Sequence, residues 1–236
     1  MTGCLIRLLQ AQGCRVAVAK PFESGGNQDG RWLRQLSGQS PSWDRWAFPY
    51  KLSAPMAPAM AAAKQGVSLS LKKVIDGLHT LESKADVLLV EGAGGALVPI
   101  KGSYCVADLM AELGYPAIVV SRLGLGSINH SLLTIEALRA RACVIAGIIF
   151  NQLRSAKLNA VEKLNPAVIA RLTKVPVLGH VPFLPLRQPP SADRLRRYIN
   201  FMVGQVGPLS FFSETHDHIK FRTKKSAVDL LQDDRA

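Results

Sequence analysis

The sequence predicts an α/β fold, with a mostly parallel sheet and helices on both faces. Three observations predict it. Several strand-like segments are apolar throughout, such as Val87-Leu88-Leu89-Val90 and Cys143 to Phe150. Strands of that kind are buried on both faces. They alternate with segments of helical period, the order that builds a parallel sheet. Polar and glycine-bearing residues follow directly after the strands, where open α/β sheets bind their ligands.

Each element has a local reason. Leu5 to Leu9 follow a helical pattern that stops at Gly13, and Arg15 to Ala19 read as a strand ending at Lys20-Pro21. Residues 28–37 are helix-like. The stretch 41–58 holds Pro41, Pro49, Pro55 and Pro58 and is expected to be largely loop. Leu69, Leu71, Val74, Ile75, Leu78 and Leu81 recur at helical spacing, which predicts a helix over 68–83. Asp86 to Val90 is a short buried strand, followed by Glu91-Gly92-Ala93-Gly94-Gly95. A helix is expected at 106–113, a strand at Ala117 to Val120, a helix at Ile128 to Ala140 and a strand at Cys143 to Phe150. No element is assigned between that strand and a short one at Val177 to His180. A last helix is expected at 191–203.

The chain has 236 residues, 48% of them hydrophobic and 19% charged, which excludes disorder, collagen and a coiled coil as its main architecture. It suits one compact domain over residues 1–207, with a polar C-terminal tail over 208–236. The longest apolar run, Ala142 to Phe150, is nine residues, against the roughly 20 of a spanning helix. No charged region followed by an apolar stretch opens the chain, so no signal peptide is expected. Cys4, Cys14, Cys105 and Cys143 form no CxxC pair and read as residues of a reducing compartment. The expectation is a cytoplasmic protein with no membrane partner.

The formal net charge is +12. Residues 139–200 hold eleven Arg and Lys against Glu162 and Asp193. Aromatic content is 6%, the basic residues are not interleaved with aromatics, and no helix-turn-helix, zinc-finger or RNA-binding signature occurs. The charge therefore reads as a solvated basic face, with no nucleic acid expected; nucleotide phosphates are the next partner in line.

The strand ends carry the candidate chemistry, each beside a plainer alternative. Lys20 either is a solvated edge residue or points into the ligand crevice to neutralise phosphate or carboxylate. Ser24 and the glycines after it allow close approach to an anion. Glu91 can hold Mg²⁺ near phosphates, or the glycines after it only make a tight turn. Asp29 can join Glu91 on that metal, or cap a helix. Gly124, Gly126 and Ser127 precede a helix whose amides can receive an anion, or which is simply capped. Asn129 and His130 are the accessible polar groups of its first turn. His216-x-His218 lacks further ligands and is not taken as a metal site.

KPFESG (Lys20 to Gly25), VEGAGG (Val90 to Gly95), LGLGSINHSLLT (Leu123 to Thr134) and GIIFNQL (Gly147 to Leu153) resemble, in order and spacing, the dethiobiotin synthetases. The resemblance covers roughly residues 1–200. It implies a P-loop NTPase-like sheet and an ATP- and Mg²⁺-dependent ligase of biotin synthesis. In that reaction 7,8-diaminopelargonate gains CO2 on one amine, the carbamate takes the γ-phosphate of ATP, and the second amine closes the ureido ring. By resemblance Lys20 contacts the carbamate and the transferred phosphate, Asp29 and Glu91 hold Mg²⁺, and Ser24 touches the diamine. Gly92, Ala93 and Gly94 lie beside nucleotide and substrate. Asn151 and Gln152, with Pro182, Phe183 and Leu184, cradle adenine. Ser127, Ile128, Asn129 and His130 receive the substrate carboxylate from the partner subunit, which implies a homodimer with sites at its interface.

The family also opens with a strand and a G-x-x-x-x-G-K-[ST] phosphate loop, and residues 1–236 contain no such motif. By family spacing the loop falls just before Met1, so Thr2 is not given the loop threonine's role. The expectation is an N-terminally truncated reading of the fold, with roughly fifteen to twenty residues lying upstream of a misassigned start by comparison with the family's opening strand and loop. The missing strand belongs in the middle of the sheet, so unpaired strand edges are expected there. Two alternatives stay open: an inactive or regulatory dimerising homologue without ATP turnover, and a partition-type P-loop ATPase.

Overall fold

The computed structural model describes residues 1–184 and 191–205. The tail predicted over 208–236 lies outside them.

The chain starts with α1 (Thr2–Gln10), then β1 (Val16–Ala19), β2 (Phe22–Ser24) and α2 (Gln28–Ser37). A 3₁₀ turn (Pro41–Trp43), α3 (Asp44–Ala47), β3 (Tyr50–Leu52) and α4 (Pro58–Gln65) follow. Next come α5 (Leu71–Glu82), β4 (Val87–Val90), a small hairpin of β5 (Pro99–Lys101) and β6 (Tyr104–Cys105), and α6 (Val106–Leu113). The remainder alternates: β7 (Ala117–Ser121), α7 (Ser127–Arg139), β8 (Ile145–Asn151), α8 (Ala160–Thr173), β9 (Val177–Val181) and α9 (Ala192–Gln205).

The α/β expectation holds. β1 pairs with β4, β2 with β3, and β8 with both β7 and β9, all in parallel; among the described residues only the β5–β6 hairpin is antiparallel. Helices cover both faces. Ile148 and Phe150 of β8 pack with Ile135 and Leu138 of α7 and Ile169 of α8, whereas Ile149 packs with Cys4 and Leu8 of α1 and Leu195 of α9. Adjacent side chains of a strand point to opposite faces, so this segregation places α7 and α8 on one side and α1 and α9 on the other. Among the described residues no helix is long and apolar enough to cross a membrane.

Two expectations need correction. Residues 41–58 are not largely loop. Pro41 and Pro58 occupy the opening positions of the 3₁₀ turn and α4, where a helix needs no N–H, so these prolines start helices rather than prevent them. The other correction is α8, to which no element was assigned. Its start is marked by Asn159, whose side chain accepts from the Glu162 amide while the Glu162 carboxylate accepts from the Asn159 amide. Pro166 inside the helix hides the pattern.

The parallel strands form separate sets. β4 and β7 are not hydrogen-bonded to each other. Between them runs a slot of about 790 Å³, lined by Leu88, Leu89 and Val90 on one bank and Ala117 to Ser121 on the other. All four residues of β1 are buried, whereas those of β4 are only half-buried and Val120 of β7 is 49% exposed. The β4 and β7 sides that face the slot are therefore less covered than β1.

Candidate functional site

Lys20 leaves the C-terminal end of β1, and Glu91 leaves that of β4. The parallel register Ala19↔Val90 sets the two residues side by side. The Glu91 amide donates to the Ala19 carbonyl (2.8 Å), which extends the pairing by one residue. The Lys20 ammonium donates to Glu91 Oε1 at 2.9 Å and to Asp29 Oδ2. Its side chain is 12% exposed. Burial alone would lower its pKa, but the Asp29 and Glu91 carboxylates outweigh that and hold it above its ordinary value. Thr2, at the start of α1, donates its hydroxyl to the other Glu91 oxygen. Sequence reasoning gave Thr2 no place in the site; only the fold, which brings the first turn of α1 over the end of β4, reveals it.

Asp29 sits in the first turn of α2 and is not its cap, since the N-cap residue is Asn27. Its amide donates to Glu23 Oε1 at 2.8 Å. Ser24, half-buried at the end of β2, does not line the slot. Glu91, Gly92, Ala93 and Gly94 do. Gly94 has φ +77, and a Cβ there would come within 2.9 Å of Val98 Cγ2, so the turn needs glycine for both conformation and space.

The opposite bank is built mostly from neutral groups, with Arg122 as its cation. Beyond β7, the loop to α7 is fastened from beneath. Asn165 of α8, only 4% exposed, donates to the Leu123 carbonyl (2.7 Å) and to Ser127 Oγ (3.0 Å). The Ser127 hydroxyl, fully buried, donates to the Leu123 carbonyl. The Ser127 side chain is therefore engaged within the fold. Gly124 and Gly126 carbonyls take the amides of Ser127 and His130. The amides of Ile128 and Asn129 are left without a partner among the described residues. Asn129 and His130 are exposed, and His130 lines the slot. Arg122 Nη2 lies 3.3 Å from His130 Nδ1 and also lines it. Neither Arg122 nor Asn165 was singled out in sequence; the place of Arg122, just after a strand, was the available signal.

Asn151 ends β8 opposite Val181, so Asn151 and Gln152 stand beside Pro182, Phe183 and Leu184. The Gln152 amide donates to the Val181 carbonyl, and its side chain donates to the Arg154 and Ala156 carbonyls. Leu184 packs against the cluster of Cys4 and Leu8. Of this group only Asn151 lines the slot.

Comparison with known proteins gives these features a family. Residues 1–191 match a family described as an AAA domain. The ATP-dependent dethiobiotin synthetase BioD of Halalkalibacterium halodurans is 38% identical over 207 residues, covering 84% of this chain and 85% of its own. That of Anaeromyxobacter sp. strain Fw109-5 is 43% identical over 209 residues, covering 85% and 92%. Among solved structures, the MinD cell division protein of Aquifex aeolicus superposes with a TM-score of 0.51 at 16% identity, over 87% of this chain and 90% of that one. The last likeness shows the fold alone, which is P-loop NTPase-like. The sequence relatives go further: the chain belongs to the ATP-dependent dethiobiotin synthetase family.

Proposed function

We propose that this protein is an ATP-dependent carbon–nitrogen ligase that forms dethiobiotin from 7,8-diaminopelargonate and CO2. The observation that carries the reading is one largely enclosed ammonium, Lys20, shared by Asp29 and Glu91 near two adjoining strand ends.

The reaction gathers anions. One amine of the diamine adds to CO2 and loses a proton, giving a carbamate. A carbamate oxygen takes the γ-phosphoryl group of ATP, releasing ADP. The second amine attacks the carbamoyl carbon, and phosphate leaves with its bonding pair. Lys20 suits the first two steps. It stays protonated, and it stands where negative charge builds on the carbamate and the phosphoryl oxygens. Ser24 is the proposed contact to the diamine, and Gly92, Ala93 and Gly94 allow nucleotide and substrate to approach the backbone. Asn151, Gln152, Pro182, Phe183 and Leu184 are proposed to hold adenine, where the β8–β9 register gathers them.

Asp29 and Glu91 fit Mg²⁺. Both reach the same nitrogen, so both reach one common point, and every donor there is oxygen, the choice of a hard cation. Among the described residues no cluster of three or more His, Cys, Asp and Glu could hold a metal by itself. A pair of carboxylates completed by substrate phosphates is how proteins usually hold this ion. Bound there, Mg²⁺ neutralises phosphate charge.

The substrate carboxylate is assigned to the start of α7 in the partner subunit of a homodimer, at the free amides of Ile128 and Asn129 beside His130. Exposed apolar side chains around that turn support a second copy: Leu125 is 90% exposed, and Leu133 and Leu164 are more than half exposed. The reading places the enzyme in the cytoplasm.

The test is an assay of protein purified from its own host, with 7,8-diaminopelargonate, bicarbonate and Mg-ATP. Ureido product in step with ADP supports the reading. Protein that dimerises without turnover would instead make it a regulatory homologue.

A further inference from the structure

We infer that Glu23 is a positioning residue that sets Asp29 against Lys20 and so tunes the divalent-cation site; the inference rests on the metal-holding roles given to Asp29 and Glu91.

Glu23 lies in the KPFESG segment, in the middle of β2, and is 3% exposed. A buried carboxylate needs a cation or several hydrogen-bond donors. Among the described residues Glu23 forms no ion pair. It is held by the first turn of α2 instead. Its Oε1 accepts from the Asp29 amide at 2.8 Å, and both oxygens accept from the Gly30 amide at 3.3 Å. The N-terminus of a helix carries partial positive charge and unsatisfied amides, so it is a fitting seat for a carboxylate. The helix's own N-cap, Asn27, makes no side-chain cap, which leaves this work to Glu23.

Gly30 shows how close the fit is. A Cβ there would fall 2.8 Å from Glu23 Oε2 and 3.0 Å from Phe48 Cδ1. The carboxylate can reach the helix only over a glycine. A residue bonded through its amide to a buried, immobile group has its Cα fixed. The Asp29 carboxylate, itself 63% exposed, therefore starts from a fixed point when it reaches Lys20. Without Glu23, the first turn of α2 would lose the bonds that tie the Asp29 and Gly30 amides to β2, and Asp29 would be held toward Glu91, 62 residues further along the chain, only through Lys20 and the packing of the rest of the helix.

The experiment uses Mn²⁺ as the probe. It is titrated into the whole protein from its own host, with ADP present, and free ion is read by electron paramagnetic resonance. Glu23→Ala should weaken Mn²⁺ binding about tenfold, the loss usual when a partner of a metal ligand is removed. Glu23→Gln keeps one acceptor oxygen, should fold, and should weaken binding less than Glu23→Ala. In an Asp29→Ala background, Glu23→Ala should add nothing, because the route through Asp29 is already cut. Unchanged Mn²⁺ binding in both Glu23 variants, with only the melting temperature lowered, would make Glu23 a helix cap and overturn the inference. Equal further loss in the Asp29→Ala background would overturn it too. Wild-type protein that binds no Mn²⁺ would instead overturn the metal pair itself.

Discussion

The strand ends on the two sides of the central slot are built by different means. On the β1–β4 bank the functional groups are charges drawn from distant parts of the sequence: Lys20 against Asp29 and Glu91, with Thr2 and Glu23 behind them. On the β7–β8 bank, apart from Arg122 beside His130, they are neutral: at the start of α7 two amides without a partner among the described residues and the buried Ser127, with Asn165 of α8 beneath them. Charges act over distance and are strengthened in a partly dry site, which suits a step where phosphoryl charge moves. Neutral dipoles need close, fixed geometry and suit recognition of a ligand that does not react. The contrast fits the proposed division of labour, with chemistry on one bank and substrate binding on the other.

Substitutions can break that division. Lys20→Ala should show the largest effect, lowering kcat on the order of a hundredfold or more while the protein stays folded, since it removes charge stabilisation of the transition state. A kcat within a few-fold of wild type would remove Lys20 from the chemistry.

Asn165→Ala should behave as the opposite bank demands. It strips the buried Leu123 carbonyl and Ser127 hydroxyl of a donor, which costs about 1–3 kcal/mol of stability. The KM for diaminopelargonate should rise about tenfold, the equivalent of roughly 1.4 kcal/mol of binding, with kcat within a few-fold of wild type. A drop in kcat with unchanged KM would erase the proposed division. Leu125→Glu probes the same bank from outside. It should shift the protein toward monomer in sedimentation, and an unaffected dimer would move the interface elsewhere.

The smallest effect concerns the tie between the banks. Asp108 of α6 accepts from the Cys105 amide and from Arg141 (2.6 Å) just beyond α7. Hydrogen bonds from Cys105, then the Arg141 guanidinium, hold its carboxyl at about 2, below the ordinary 3.8. A carboxyl held low in the folded state stabilises above its unfolded value and loses that contribution as pH falls toward the folded one. Between about pH 4 and 2 the wild type should therefore lose stability faster than Asp108→Asn, as read by denaturant midpoints at each pH. Parallel curves would show that Asp108 contributes nothing to the acid response.

Much of this was legible before any coordinates. The apolar strands and the residues that follow them located Lys20, Glu91 and the start of α7, because parallel sheets impose a strong one-dimensional pattern. Asp29 was legible as a metal candidate, but the means of holding it was not: Glu23 looks like any polar residue of a short strand until the fold buries it over Gly30. Residues 41–58 misled because proline count suggests loop, whereas proline position decides whether a helix can start. α8 was hidden by Pro166, and with it Asn165, which acts across 42 residues on Leu123. Long-range polar contacts of that kind leave no periodic trace in a sequence.

The central claim is that ring closure depends on the charged bank. The most direct measurement is rapid-quench analysis of enzyme from its own host, loaded with labelled ATP, bicarbonate and the diamine, comparing wild type with Lys20→Ala. The account predicts that wild type transfers label to phosphate and forms the ureido ring in one turnover, while Lys20→Ala binds both substrates and stalls before phosphoryl transfer. Equal single-turnover rates in the two proteins would contradict it.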